Sequence, residues 1–218
     1  MADYAQARRN MVDSQIRTNK VVDPAVLAAF AELPRERFVE PQFSAVSYLD
    51  EDLPLGDDRY MMEPMVLARL IQTLAIGADD VVLDVGCGTG YATALLARLA
   101  RKVIALDCDA RLARRTKALL AELAVDNAVV VDGPLAAGYA ALGPYNAILV
   151  DGAIAEVPKS LTDQLAEGGR LAAVVERVDA SGCAMLFLKS GGMVSGRPLF
   201  DAATPHLPGF QKEAGFVF

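Results

Sequence analysis

Three glycines at alternate positions, Gly86, Gly88 and Gly90, form the part of the sequence best suited to holding a ligand. They belong to the run Gly-Cys-Gly-Thr-Gly, which follows a short apolar stretch that ends at Val85. Glycine allows a sharp turn and lets a ligand lie against bare backbone. A helix that starts near Gly90 would also direct its free N–H groups at that ligand. The loop therefore predicts a site for a nucleotide-like ligand.

The residue at position 91 narrows the class of that ligand. A dinucleotide-binding fingerprint reads GxGxxG and needs a glycine where this chain has Tyr91. The lysine and the serine or threonine of a phosphate-binding P-loop are also missing. The spacing GxGxG therefore favours a ligand without a pyrophosphate, and a nicotinamide oxidoreductase is the weaker alternative.

Two acids at the ends of later apolar stretches indicate a nucleoside. Asp107 ends the stretch 102–107, 17 residues after Gly90, and Asp132, followed by Gly133, ends the stretch 128–132. A carboxylate in the position of Asp107 can accept hydrogen bonds from both ribose hydroxyls, and we expect Asp132 to reach an adenine amino group. Each acid alone could simply cap a helix or a turn, but both acids at this interval from the glycine loop favour a nucleoside.

Alternating helices and strands from Glu63 onward would bring these residues together. The predicted helices begin at Pro64 and near Gly90 and cover 109–124 and 157–166. The predicted strands are 81–85, 102–107, 128–132, 145–150 and 169–176, followed by two strands within 183–200. Near-continuous apolar strands between amphipathic helices indicate a parallel sheet that is covered on both faces. We predict an α/β domain with a doubly wound, mostly parallel sheet over residues 61–218, and ligands bind such sheets at the carboxyl ends of the strands.

Residues 1–60 have a different pattern. Two helical stretches are predicted at 5–18 and 24–33, the second with Asp23 as its cap and Pro24 in its first turn. An irregular segment, 34–60, follows. We predict a helical and irregular extension that covers the site, and the sequence leaves open whether residues 34–60 close over it as a lid.

Composition excludes several function classes. The 218 residues are 53% hydrophobic and carry a net charge of −7, which disfavours nucleic acid as the main partner. No apolar run approaches the roughly 18–20 residues needed to cross a bilayer, and the N-terminus has no apolar stretch of the signal-peptide kind. Three cysteines without metal-ligand spacing indicate reduced thiols. We expect a cytoplasmic protein without nucleic-acid, membrane or metal partners, and the sequence leaves the oligomeric state open.

The run Leu-Asp-Val-Gly-Cys-Gly-Thr-Gly-Tyr at 83–91, together with Asp107 and Asp132, resembles the class I methyltransferases, whose domain is Rossmann-like. The flanking segments resemble the protein-L-isoaspartate O-methyltransferase family more specifically. They include Met-Val-Asp-Ser-Gln-Ile at 11–16, Leu-Pro-Arg-Glu-Arg-Phe-Val at 33–39, Leu-Pro-Leu-Gly at 53–56, Pro-Tyr-Asn-Ala-Ile-Leu-Val at 144–150 and Gly-Gly-Arg-Leu at 168–171. The resemblance covers roughly residues 8–176.

This resemblance implies a reaction, a cofactor and a set of binding residues. The family transfers a methyl group from S-adenosylmethionine, which leaves as S-adenosylhomocysteine, to the free α-carboxylate of an isoaspartyl residue in a damaged protein. The resemblance implies that the partner is a protein or peptide carboxylate. The residues that would line the cofactor site are Asp84, Gly86, Cys87, Gly88, Gly90, Asp107, Asp132 and Gly133.

The chain departs from the family on the substrate side. Between Gly56 and Pro64 the family carries a Gly-Gln-Thr-Ile-Ser-type stretch, whose serine lies beside the cofactor and helps to hold the substrate. In this chain the threonine position holds Tyr60 and the serine position holds Met62. A second, smaller departure is Asp151, which begins a run where the family has small neutral residues.

These substitutions leave the catalytic residue unassigned. Tyr60 and Arg59 are candidates on the substrate side, and we hypothesise that Arg59 attracts a carboxylate acceptor in place of the lost hydroxyls. A bulkier, more apolar pocket would equally suit another acceptor, such as a small metabolite. A cofactor-binding protein that has lost turnover is the alternative from another functional class.

Overall fold

A computed structural model describes residues 3–177 and 182–210 of the chain. Its main element is a seven-stranded sheet with the strand order β5-β4-β3-β6-β7-β8-β9. The strands are β3 (Val81–Val85), β4 (Lys102–Asp107), β5 (Ala128–Asp132), β6 (Tyr145–Ile154), β7 (Leu165–Glu176), β8 (Gly182–Ser190) and β9 (Met193–Asp201).

The sheet is parallel from β5 through β7, and β8 and β9 continue it as antiparallel strands. The strand order reverses between β3 and β6, which are neighbours although β4 and β5 separate them in the chain. Ligands of doubly wound sheets bind at such a reversal, beyond the carboxyl ends of the strands. The prediction of a doubly wound, mostly parallel α/β sheet is confirmed.

The described ranges contain six α-helices, which are α1 (Tyr4–Met11), α2 (Pro24–Glu32), α3 (Pro64–Leu74), α4 (Tyr91–Ala97), α5 (Ala110–Glu122) and α6 (Lys159–Asp163). Helix α3 is followed by Ala75, which caps its C-terminus in a left-handed conformation. Helix α6 is shorter than the predicted 157–166, because β7 already begins at Leu165.

The N-terminal part is helical but not uniform. The predicted helix 5–18 is an α-helix only to Met11, and it continues as a π-helical turn over Val12–Ile16 and a 3-10 turn over Arg17–Asn19. The segment expected to be irregular contains two further 3-10 turns. It also leads into a hairpin of β1 (Leu53–Gly56) and β2 (Arg59–Met61), whose strands pair with each other outside the main sheet.

Residues of the N-terminal part share a hydrophobic core with one face of the sheet. Phe30 and Phe38 contact the ring of Tyr91 edge-on, at centroid distances of 6.1 and 5.3 Å. The predicted boundary between residues 60 and 61 stays a prediction, and residues 178–181 and 211–218 of the predicted sheet domain lie outside the described residues. No helix in the part of the chain that is described is long and apolar enough to span a membrane.

Candidate functional site

The glycine loop lies at the carboxyl end of β3 and leads into helix α4. Gly86, Gly88 and Gly90 have φ angles of +85°, +58° and +90°, a region that favours glycine. The backbone N–H groups of Gly86 and Cys87 donate to the carbonyl oxygen of Leu106 at 2.9 and 3.1 Å. These bonds fasten the loop to the end of the neighbouring strand β4, where the predicted ribose-binding acid stands.

Asp107 follows directly and has no exposed surface. Its Oδ1 accepts hydrogen bonds from the backbone N–H of Asp109 at 2.9 Å and from Nη1 of Arg59 at 2.7 Å. Its Oδ2 accepts from the backbone N–H of Gly88 at 2.8 Å and from Nη2 of Arg59 at 2.9 Å. The structure therefore brings Asp107 to the glycine loop, but a side chain of the protein already occupies both carboxylate oxygens.

Arg59 lies in a different place from the one that the sequence hypothesis requires. Its side chain is 4% exposed, forms a two-pronged ion pair with Asp107, and donates from Nη2 to the carbonyl oxygen of Gly86 at 3.1 Å. The guanidinium is thus directed inward at the glycine loop. The hypothesis that Arg59 offers a free positive charge to a carboxylate acceptor does not agree with this arrangement, because Asp107 compensates that charge.

A second buried carboxyl, that of Asp84, lies behind the loop. Its Oδ2 accepts a hydrogen bond from Oγ1 of Thr93 at 2.6 Å, while Oδ1 has no partner among the described residues. Burial raises the pKa of Asp84, and the charge of Asp107 raises it further, whereas the Thr93 hydroxyl and the Arg59 charge lower it. Asp84 can therefore hold a proton more readily than an ordinary aspartate.

Asp151, at the end region of β6, is the third buried carboxyl near the loop. Burial raises its pKa well above the ordinary value, and Asp84 raises it further, while the charges of Arg59 and Arg35 lower it. Within residues 3–177 and 182–210, its Oδ1 accepts no hydrogen bond. The sequence marked this residue only as a departure from a small neutral run, and its burial could not be read from the chain.

The remaining predicted cofactor residues lie at the same edge of the sheet. Asp132 is exposed at the end of β5, and the N–H of Gly133 donates to the carbonyl oxygen of Asp107 at 3.0 Å. Cys87 is 2% exposed, and burial raises the pKa of its thiol. This thiol therefore resists ionisation, in keeping with a packing role.

Of the three residues after Arg59, two lie in the hydrophobic core and one lies at the surface. Met61 and Met62 are buried in the hydrophobic core, and the carbonyl oxygen of Met62 accepts from Nη2 of Arg35 at 2.8 Å. Tyr60 is 37% exposed. Of the substituted positions, Tyr60 is therefore the one that can meet an acceptor, while Met62 serves packing.

The bare faces of two loop glycines are covered by leucines that no sequence pattern singles out. A Cβ atom added to Gly86 would lie 2.7 Å from Cδ2 of Leu207, and one added to Gly88 would lie 2.9 Å from Cδ1 of Leu55. Leu55 belongs to β1. Leu207 is held beside β6, because its backbone N–H donates to the carbonyl oxygen of Ala153 at 2.8 Å. The backbone that a nucleoside would approach is in contact with the protein's own side chains.

Comparison with known proteins gives a consistent match along most of the chain. The sequence model of the family described as "Protein-L-isoaspartate(D-aspartate) O-methyltransferase" matches residues 6–203. The protein-L-isoaspartate O-methyltransferase of Methanoregula boonei is 42% identical over 164 residues, which are 75% of this chain and 76% of that protein. The protein of the same name from Methanoculleus marisnigri is 40% identical over 168 residues, 77% of this chain and 76% of that protein.

Two solved structures resemble this fold. A protein-L-isoaspartate O-methyltransferase structure superposes with a TM-score of 0.81 at 24% identity, covering 93% of this chain and 66% of the other. A putative protein-L-isoaspartate O-methyltransferase from Plasmodium falciparum, in complex with S-adenosyl-L-homocysteine, gives a TM-score of 0.80 at 20% identity, covering 98% of this chain and 100% of the other. At these identities the structural likeness concerns the fold alone.

Proposed function

Because the chain belongs to the protein-L-isoaspartate(D-aspartate) O-methyltransferase family, we propose that it transfers the methyl group of S-adenosylmethionine to the α-carboxylate of isoaspartyl residues in damaged proteins. The observation that carries this proposal is the family match over residues 6–203. The enzyme is accordingly a methyltransferase, and S-adenosylhomocysteine is its second product. Repair of proteins in the cytoplasm is the setting that we propose, and the three free cysteines support a reducing compartment.

The residues at the strand ends fit the cofactor in kind. The backbone of Gly86 and Gly88 would support the nucleoside, Asp107 would accept from the ribose hydroxyls, and Asp132 would face the adenine. Oδ1 of Asp84 and Oδ1 of Asp151 are buried and have no hydrogen-bond partner among the described residues, so each leaves an unmet hydrogen-bonding capacity near the loop. When bound, S-adenosylmethionine supplies an electrophilic methyl group on a sulfonium.

Transfer to a carboxylate asks the protein for orientation and not for a general base. A carboxylate acceptor is already ionised near neutral pH, since its reference pKa is about 4. Holding the acceptor oxygen in line can contribute about 7–11 kcal/mol of the barrier. A single lost hydrogen bond to a charged acceptor costs about 1.5–3 kcal/mol. The replacement of the family's threonine and serine by Tyr60 and Met62 therefore weakens acceptor orientation without removing an obligatory catalytic group.

A different acceptor is the second candidate, and one observation favours it. Met62 packs into the core, and Tyr60 presents a partly exposed phenol in place of a small hydroxyl residue. Tyr60 makes this side of the acceptor site bulkier and more apolar than the small hydroxyl residue of the family would. A methyltransferase that acts on a small metabolite with apolar surface would suit it.

A transfer assay separates the two candidates. The protein is incubated with S-adenosylmethionine that carries a labelled methyl group and with a peptide containing one isoaspartyl residue. The same peptide with an ordinary aspartyl residue is the control. We expect label in a base-labile methyl ester of the isoaspartyl peptide only. Cofactor binding without ester formation would reject the isoaspartyl acceptor and support the second candidate.

A further inference from the structure

We infer that Arg59 is an internal competitor of the cofactor: its guanidinium occupies the ribose site on Asp107 and lowers the affinity for S-adenosylmethionine. The inference rests on the proposed function, because it takes the glycine loop and Asp107 as the cofactor site. It adds a residue that controls how readily this site accepts its ligand. Arg59 acts on the ligand through Asp107 and is a positioning residue.

The hydrogen-bond capacity of Asp107 is the first argument. An ionised carboxylate offers about four lone-pair positions, and Asp107 accepts four hydrogen bonds, two from backbone N–H groups and two from Arg59. The backbone donors are fixed parts of the loop and of the entry to α5. A ribose diol, which would donate two hydrogen bonds, can therefore be accommodated only where the two prongs of Arg59 now lie.

The strength of the existing pair is the second argument. Both partners are buried, with 4% of the Arg59 side chain and none of the Asp107 side chain exposed. Two-pronged bonds between guanidinium and carboxylate are charge-assisted and stronger than neutral ones, whereas ribose hydroxyls are neutral donors. The hydrogen bonding of Arg59 is nevertheless incomplete, because its buried Nε has no acceptor in the part of the chain that the structure describes. Arg59 is thus held firmly enough to compete, yet it is not fully hydrogen-bonded in this position.

The hairpin that carries Arg59 packs against the core through Leu55 and Met61 and lies outside the main sheet. Within the described residues β1 and β2 pair only with each other, so the main sheet stays intact when they shift. Their turn contains Asp57 and Asp58, two non-glycine residues with φ angles of +51° and +55°. The same hairpin carries Leu55 over Gly88, and movement would therefore free both the ribose site and the bare face of the loop.

One side chain from α5 fastens this hairpin from outside. Nη2 of Arg111 donates to the carbonyl oxygen of Leu55 at 3.3 Å and to Oδ2 of Asp57 at 3.1 Å. These contacts hold the hairpin without contacting Asp107. A change at Arg111 therefore loosens the closed position and leaves the Arg59–Asp107 pair present.

Calorimetric titration with S-adenosylhomocysteine tests the competition directly. When a ligand binds only an open fraction of the protein, the apparent dissociation constant equals the intrinsic one divided by that fraction. We expect Arg59→Gln to bind S-adenosylhomocysteine about tenfold more tightly than the unchanged protein. Arg115→Gln is the matched control, because Arg115 is an α5 arginine paired with Glu40 and bonded to the carbonyl oxygen of Val39 at 2.8 Å. Its affinity should not change.

A second ligand identifies the ribose site. For an S-adenosylhomocysteine analogue without both ribose hydroxyls, the gain produced by Arg59→Gln should be clearly smaller, because this analogue does not need Asp107. An equal gain for both ligands would overturn the ribose site as the point of competition. Equal or weaker binding of S-adenosylhomocysteine by Arg59→Gln would overturn the inference while leaving the proposed function intact.

The remaining outcomes are also decisive. Binding to Arg59→Gln with none to the unchanged protein supports the inference, and no binding to either protein overturns the inference together with the proposed function. If Arg59→Gln does not fold, as judged by thermal unfolding, Arg111→Gln replaces it. A tighter dissociation constant for Arg111→Gln supports the competition, and an unchanged constant overturns it.

Discussion

The Glu63 carboxyl is half-buried at the residue before helix α3. Burial raises its pKa from an ordinary 4.5 to about 7, and the charges of Asp50, Asp52 and Glu51 raise it further while Arg35 lowers it. Between these two pKa values the folded protein holds a proton that the unfolded chain has lost. Stability therefore decreases as the pH rises through this window, and the contribution of Glu63 is lost as the pH passes above about 7.

We expect Glu63→Gln to remove this pH dependence, since glutamine cannot ionise. Its midpoint of thermal unfolding should exceed that of the unchanged protein at about pH 8, and the difference should shrink towards about pH 4.5. Glu156→Gln is the control, because Glu156 is an exposed glutamate. A difference that grows on acidification would show that the sign of the pKa shift is wrong.

The Arg59–Asp107 pair makes a second prediction at the residue scale. Removal of one partner from a buried ion pair leaves an uncompensated charge and costs about 3–5 kcal/mol. We expect Asp107→Asn to lower the free energy of unfolding by about this amount. The double variant with Arg59→Gln should lose less than the sum of the two single losses. Urea titrations of the four proteins measure the coupling, and strictly additive losses would contradict it.

The site shows which residue positions could be predicted from the sequence. The positions of Gly86, Gly88 and Asp107 follow from a strand-loop-helix pattern, because that pattern fixes which end of the sheet they reach. The contact between Arg59 and Asp107 spans 48 residues and starts from a segment without helical or strand periodicity. Nothing local determines such a pairing. The same holds for Leu207, since one leucine in a loop looks like any other.

At the scale of elements, the agreement depends on how regular each pattern is. Strands β3, β4 and β5 have the predicted bounds because they are short apolar runs between helices. The hairpin at 53–61 is not predicted by the sequence, because its two strands contain four and three residues, too few to show an alternation of apolar and polar side chains. The prediction for helix α6 is too long at its C-terminal end, because the chain enters strand β7 at Leu165.

The start of helix α2 provides a prediction at this scale. Oδ1 of Asp23 accepts from the backbone N–H groups of Ala25 and Val26 at 2.8 and 3.2 Å, as a helix cap does. We expect Asp23→Ala to lower the free energy of unfolding by about 1 kcal/mol, because two donors lose their partner. Asp23→Asn keeps an acceptor and should stay close to the unchanged protein. Equal losses in the two variants would argue against the capping role.

At the scale of the whole molecule, the N-terminal part and the sheet depend on each other. Nη2 of the fully buried Arg35 donates to the carbonyl oxygen of Met62 at 2.8 Å, and its guanidinium lies 4.8 Å from the ring centroid of Tyr91. Oγ1 of Thr89, in the glycine loop, donates to the carbonyl oxygen of Phe38 at 2.6 Å. These links join the predicted extension to the loop itself, so we expect the two parts to unfold together.

A destabilising substitution in the N-terminal part should therefore increase the transient exposure of residues in β8. Phe30 in α2 is fully buried. Cys183 is 2% exposed and lies in β8, the strand next to the edge strand β9. Phe30→Ala should cost about 3–5 kcal/mol. The rate of Cys183 alkylation is measured by mass spectrometry, under conditions where refolding outpaces labelling. If unfolding is cooperative, Phe30→Ala should raise this rate about a hundredfold or more, because each 1.4 kcal/mol is a factor of about ten. Val22→Ala, at a side chain that is 75% exposed in the same part, should leave the rate unchanged. An unchanged Cys183 rate in a destabilised Phe30→Ala protein would instead mean that the N-terminal part opens while the sheet stays folded.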